Sequence, residues 1–125
     1  MAIAVRNLDE VAMSLKKIFN VELSKPEEVS SEKVRIAFVH VGGVRLEFLE
    51  PISKDSPISS FLEKKGQGMH HIAFEVENLE KCLKVLKAKA VPLIHEEPQK
   101  GAEGAKIAFM HPKAIPGLLL EFIEY

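Results

Sequence analysis

Two glutamates sit inside strands that are otherwise apolar. Leu118-Leu119-Leu120-Glu121-Phe122-Ile123 would be an ordinary core strand without its acid, and Arg45-Leu46-Glu47-Phe48-Leu49 is interrupted in the same way. Strand alternation places Glu121 on the face of Leu119 and Ile123, and Glu47 on the face of Arg45 and Leu49. A carboxylate on an apolar face is costly unless it is paired, hydrogen-bonded, protonated or bound to a metal. The plainer alternative is an edge strand whose Glu reaches water. A third residue points the same way: in His71-Ile72-Ala73-Phe74-Glu75-Val76 the bulky Ile72, Phe74 and Val76 share one face, expected to lie under a helix, which leaves His71 beside small Ala73 on the other. Two carboxylates and an imidazole form the oxygen and nitrogen set that a borderline divalent cation accepts. Without a metal, His71 is a hydrogen-bonding partner for a buried Glu.

These residues are related by an internal repeat. IAFVH at 36–40 returns as IAFMH at 107–111, LEFLE at 46–50 as LEFIE at 120–124, and MAIAVRNLD at 1–9 lies over IAFEVENLE at 72–80. The offset is 71 residues before the second hairpin and 74 after it, so the insertion falls inside that hairpin. Glu47 and Glu121 are therefore repeat equivalents. A unit of about 60 residues is too long for a solenoid repeat and too short to bury a good core alone, so the two copies are expected to pack together with the ligand site on their pseudo-twofold axis.

The chain of 125 residues is expected to be a single domain, residues 1–125, and its 46% hydrophobic content supports a packed core. A formal net charge of −1 with both signs interspersed gives no field that would draw nucleic acid or an anionic membrane surface. No apolar run approaches the roughly 20 residues of a membrane span and no leader pattern opens the sequence, so the expectation is a soluble, cytoplasmic protein. Cys82 is the single cysteine. It lies at helical spacing among Leu79, Leu83 and Leu86, which suits a buried structural thiol.

The first repeat module, about 1–50, reads as a strand Met1 to Val5 followed by a helix opened by the capping pair Asn7 and Glu10. That helix has Leu8, Val11, Ala12, Leu15, Ile18 and Phe19 on one face. A further strand is expected near Val21 to Ser24, then a hairpin of Val34 to Val41 and Val44 to Leu49 turned by Gly42-Gly43, both with positive φ. The linker 51–68 contains a short helix that Ser56-Pro57 starts and Gly66 ends. The second module, about 69–125, repeats the order with strand His71 to Val76, helix Asn78 to about Lys89, and strands at Val91 to His95, Lys106 to Met110 and Gly117 to Ile123. The fold class is α+β, a pair of βαβββ modules.

The remaining histidines are weaker site candidates. His70 points to the opposite strand face from His71, His40 and His111 are repeat twins at strand ends where a turn-stabilising role is as good as ligand contact, and His95 before Glu96-Glu97-Pro98 reads as a surface residue.

Taken together, HHIAFEVENLE (70–80), HEEP (95–98), IAFMHPK (107–113), LLLEF (118–122), LEFLEP (46–51) and SPISSFLEKKGQG (56–68) resemble the methylmalonyl-CoA epimerase family of the vicinal oxygen chelate superfamily, over nearly the whole chain. The resemblance implies the glyoxalase-like fold, a curved sheet around a central cavity. It also implies metal-dependent isomerase activity that interconverts (R)- and (S)-methylmalonyl-CoA through an enolate. Carried over residue by residue, Glu47, His71 and Glu121 match three of the family's four metal ligands, and the fourth, a His, falls in the slot just before Met1. The chain is accordingly read either as clipped at that end or as having lost a ligand. Ile36 stands where some members carry a Glu proposed as a base, which leaves Glu47 and Glu121 as the catalytic carboxylates. The implied cofactor is a divalent ion, Co2+ first, with Mn2+, Ni2+, Zn2+ or Mg2+ as substitutes. The implied partners are an acyl-CoA substrate and a second copy of the chain in a homodimer, with no nucleic acid and no membrane. Lys100 and Lys113 are candidates for CoA phosphate contacts. The alternatives are a metal-free or metal-poor small-molecule binding protein of the same fold and a glyoxalase I-like lyase.

Overall fold

A computed structural model describes residues 1–125 and divides the chain into two compact units, Met1–His70 and His71–Tyr125. The first unit runs β1 (Ala2–Ala4), α1 (Leu8–Phe19), β2 (Glu27–Val29), β3 (Val34–Val41), β4 (Val44–Pro51) and α2 (Pro57–Lys65). Strand β5 (Gly68–Glu75) leads into the second, which continues with α3 (Leu79–Ala88), β6 (Gln99–Lys100), β7 (Lys106–Phe109) and β8 (Leu120–Glu124). Both units have the same topology. In each, the opening strand pairs in parallel with the last one (β1 with β4, β5 with β8), and the last three strands form an antiparallel meander.

Helix α1 starts where Asn7 Oδ1 accepts the Asp9 and Glu10 amides, and it stops at Asn20, which takes the left-handed conformation at φ 55°. Another of its free amides, Leu8 N–H, donates to Glu50 Oε2 on β4, while Arg35 holds the other Glu50 oxygen at 3.0 Å. Its apolar stripe is shorter than the spacing suggests. Leu8 and Leu15 are buried with Val5, Ala37, Val39 and Phe48, but Ile18 and Phe19 at the last turn are exposed. Helix α3 has the same design: Asn78 caps it, and Leu79 and Leu83 are buried against Ala108, Met110 and Leu120.

Replacing Leu83, which is 2% exposed, by Ala should cost about 3 kcal/mol in urea unfolding, the usual penalty for a core cavity of this size. A loss below about 1 kcal/mol would mean that α3 does not seal this sheet face.

The linker helix belongs to the first unit. Ser56 Oγ caps it at the Ile58 amide and also donates to Glu32 O, Arg6 reaches Leu62 O, and Ile58 and Leu62 are buried as the helix packs on β4 and β1. Ahead of it, Lys33 and Ser53 hold the exposed Asp55 carboxyl down at about 2.

Three strand readings shift. The segment Val21 to Ser24 is not a strand, the third element of the first unit being β2 at Glu27–Val29. In the second unit Leu93 makes only an isolated bridge to Met110, and β6 falls later, at Gln99–Lys100. Strand β8 begins at Leu120 because Ile115 and Leu118 are bridged across the turn that precedes it. At the β3–β4 turn Gly42 alone supplies a left-handed φ, 61°.

Candidate functional site

The two units place their acids at equivalent register positions. Glu47 is opposite Ala2 on one side and Phe38 on the other; Glu121 is opposite Ala73 and Phe109. Ala2 with Ala73 and Phe38 with Phe109 are repeat equivalents, so each carboxylate stands between one small and one aromatic neighbour. In both strands the alternate residues, Leu46 and Phe48 or Leu120 and Phe122, face the helix core. Each acid is thereby turned to the face away from the helix.

In the second unit the sequence pairing of His71 with Glu121 is realised. His71 Nε2 lies 2.6 Å from Glu121 Oε2, and each side chain is only 7% exposed. The two residues are diagonal neighbours: the Ile72 amide donates to Leu119 O and Ala73 is level with Glu121, so His71 reaches one pleat along the parallel partner strand. Phe109 closes the group, its ring 5.0 Å from the His71 ring in an edge-on arrangement at 84°.

The pair suits a cation in its chemistry. An imidazole nitrogen and a carboxylate oxygen converge in a nearly dry place, the donor types that a borderline divalent cation accepts. Within the second unit no third His, Cys, Asp or Glu joins them. A complete site therefore needs a further donor.

Glu47 has its own surroundings in the first unit. Its Oε1 lies 3.3 Å from Arg45, whose guanidinium is stacked 3.7 Å over the Phe38 ring, and Glu47 and Arg45 are about one-fifth exposed. This carboxylate is paired with a cation and is more exposed than Glu121.

Other candidates sort by contact. His70 packs edge-on against Phe61 of α2 at 4.9 Å, on the apolar side expected for it. His111 stabilises a turn, with Nδ1 accepting the Lys113 amide at 3.1 Å, and His40 is exposed at the end of β3. Lys100 and Lys113 are exposed, Lys100 on the rim of a groove of about 610 Å3 that Lys84, Lys87 and Lys106 also line. His95 is not the surface residue that its sequence suggests: it is half-buried, and Nδ1 accepts the Phe109 amide at 3.1 Å.

The pattern of the Glyoxalase/Bleomycin resistance protein/Dioxygenase superfamily matches residues 1–109. A human mitochondrial methylmalonyl-CoA epimerase is 39% identical over 121 residues, covering 96% of this chain and 69% of its own length. The chain belongs to the methylmalonyl-CoA epimerase family of that superfamily. An uncharacterized Bacillus subtilis protein, YqjC, is 41% identical over 98% of this chain and 87% of its own. Among solved structures, a Streptomyces coelicolor methylmalonyl-CoA epimerase variant in complex with 2-nitronate-propionyl-CoA superimposes with a TM-score of 0.92 at 29% identity, covering 98% of this chain and 90% of the other. Epimerases of this family thus share the paired βαβββ arrangement found here.

Proposed function

We propose that this chain is a methylmalonyl-CoA epimerase that exchanges the α-proton of the acyl group through Glu121 and Glu47, with His71 and both glutamates as ligands of a divalent cation. The observation that carries the reading is the buried His71–Glu121 pair, in a chain 39% identical to a named epimerase. The third ligand is assigned to Glu47 because it has the same strand position and the same Ala and Phe neighbours as Glu121. A cation bound there supplies Lewis acidity that stabilises an enolate. The protein residues do the proton work. One carboxylate removes the proton next to the thioester carbonyl and the other returns one to the opposite face, so that the configuration inverts. His71 keeps Glu121 oriented and accounts for its burial.

Co2+ is the first choice of ion within this reading. The same reading includes a cytoplasmic homodimer whose partner is a small acyl-CoA. No helix is long and apolar enough to cross a membrane.

The test is incubation of the chain with one epimer of methylmalonyl-CoA and Co2+ in deuterated water. Deuterium should enter the α-position as the other epimer forms. No incorporation with Co2+, Mn2+, Ni2+, Zn2+ or Mg2+ would refute the assignment.

A further inference from the structure

We infer that His95 is a positioning residue: it fixes the β7 backbone at Phe109 so that the Phe109 ring holds the His71 imidazole against Glu121. Two hydrogen bonds make the clamp. The Phe109 amide donates to His95 Nδ1 at 3.1 Å, and the His95 amide donates to Phe109 O at 3.2 Å. The Ile94 amide also donates to that oxygen, at 3.0 Å, and Leu93 bridges to Met110, so segment 93–95 lies along the end of β7. From this anchored residue the Phe109 ring projects between two imidazoles, 5.0 Å from His71 and 5.9 Å from His95. Because Phe109 is level with Glu121, a shift of its backbone moves the packing of His71 and the neighbour of the acid together.

The first unit supports this independently. Ser24 is the repeat equivalent of His95 at the 71-residue offset, and it clamps Phe38, the equivalent of Phe109, in the same way. The Phe38 amide donates to Ser24 Oγ at 2.8 Å, and the Ser24 amide donates to Phe38 O at 2.9 Å. The side chains differ in size, shape and acidity and share a hydrogen-bond acceptor aimed at the equivalent amide. Local packing alone does not ask for that, since a hydroxymethyl and an imidazole fill unlike volumes. The shared element is the two-point hold on the aromatic neighbour of each acid.

The role in activity rests on the metal-site reading above, and the experiment separates the two. His95→Ala removes the acceptor, while His95→Asn restores one at nearly the position of Nδ1. The metal-free proteins are compared by NMR of the His71 ring protons, and Co2+ affinity is measured by calorimetry. Positioning predicts displaced and broadened His71 signals in His95→Ala, with Co2+ binding weakened about tenfold as for other supports of metal-ligating histidines. His95→Asn should restore the signals, and Co2+ affinity to within about threefold of the parent. Unchanged His71 signals in His95→Ala, or failure of Asn to rescue a folded protein, would overturn the inference. If the parent chain binds no Co2+, the metal reading fails, while the NMR comparison still decides whether His95 positions His71.

Discussion

Glu121→Gln should slow inversion at the α-carbon by about a hundred- to ten-thousand-fold, the range by which a positioned general base accelerates a reaction. The substitution preserves shape. A glutamine Oε1 can still accept from His71 Nε2 at the place where the carboxylate lies 2.6 Å away, so unfolding in urea should change by less than about 1.5 kcal/mol. What disappears is the basic oxygen, since an amide does not take up a proton near neutral pH. The same change made at Glu47 tests whether the two acids serve opposite faces of one carbon. If each carboxylate handles one face, either variant alone blocks inversion, because both protonation directions are needed in every turnover. Undiminished inversion in Glu121→Gln would remove this residue from the chemistry, whatever became of the metal; exchange without inversion would leave the two-base scheme standing, with Glu47 still serving its own face.

The second large effect is on stability, and it comes from His71. His71→Leu should destabilise the protein by about 3–5 kcal/mol at neutral pH, because it strands the Glu121 carboxylate on a face where only 7% of its side chain meets water. Metal binding and activity should vanish with it. Pairing this variant with Glu121→Leu separates burial from function. The double variant removes both polar groups and puts apolar ones in their place beside Phe109 and Ala73, so it should regain most of the stability while remaining inactive. Equal stabilities of parent and His71→Leu would show that Glu121 does not depend on the imidazole. A double variant no more stable than His71→Leu would show that the site tolerates no apolar filling.

Both expectations depend on features that were legible before any coordinates. Repetition gave two equivalent acids, and alternation set the strand face of each, Glu121 with Leu119 and Ile123 and Glu47 with Arg45 and Leu49; the packing of Phe48 and Leu120 with the helices shows that this is the face turned away from them. These are short-range properties: a strand's faces follow from a period of two, and a helix start follows from Asn7 or Asn78 offering an oxygen to free amides. The reach of each helix over its sheet is not short-range. Ile18 and Phe19 continue the apolar spacing of α1 but are exposed, and Phe74 shares a strand face with Ile72 yet is 53% exposed. Cover depends on where another element ends, which periodicity does not contain.

The caps, the hairpins and the strand face of each candidate acid are legible in the sequence because neighbours a few residues away fix them, and the duplication is legible because the same residues recur 71 and 74 positions on. Tertiary structure decided that the linker helix joins the first unit, that Leu93 to His95 is a clamp on β7 instead of a strand, and that His95 is half-buried beside Phe109. Ser24 and His95 carried a faint mark, their shared 71-residue spacing, but Ser and His are not alike as letters. They are alike only as acceptors aimed at an amide 14 residues further along the chain, and that likeness exists once the backbone has brought donor and acceptor together.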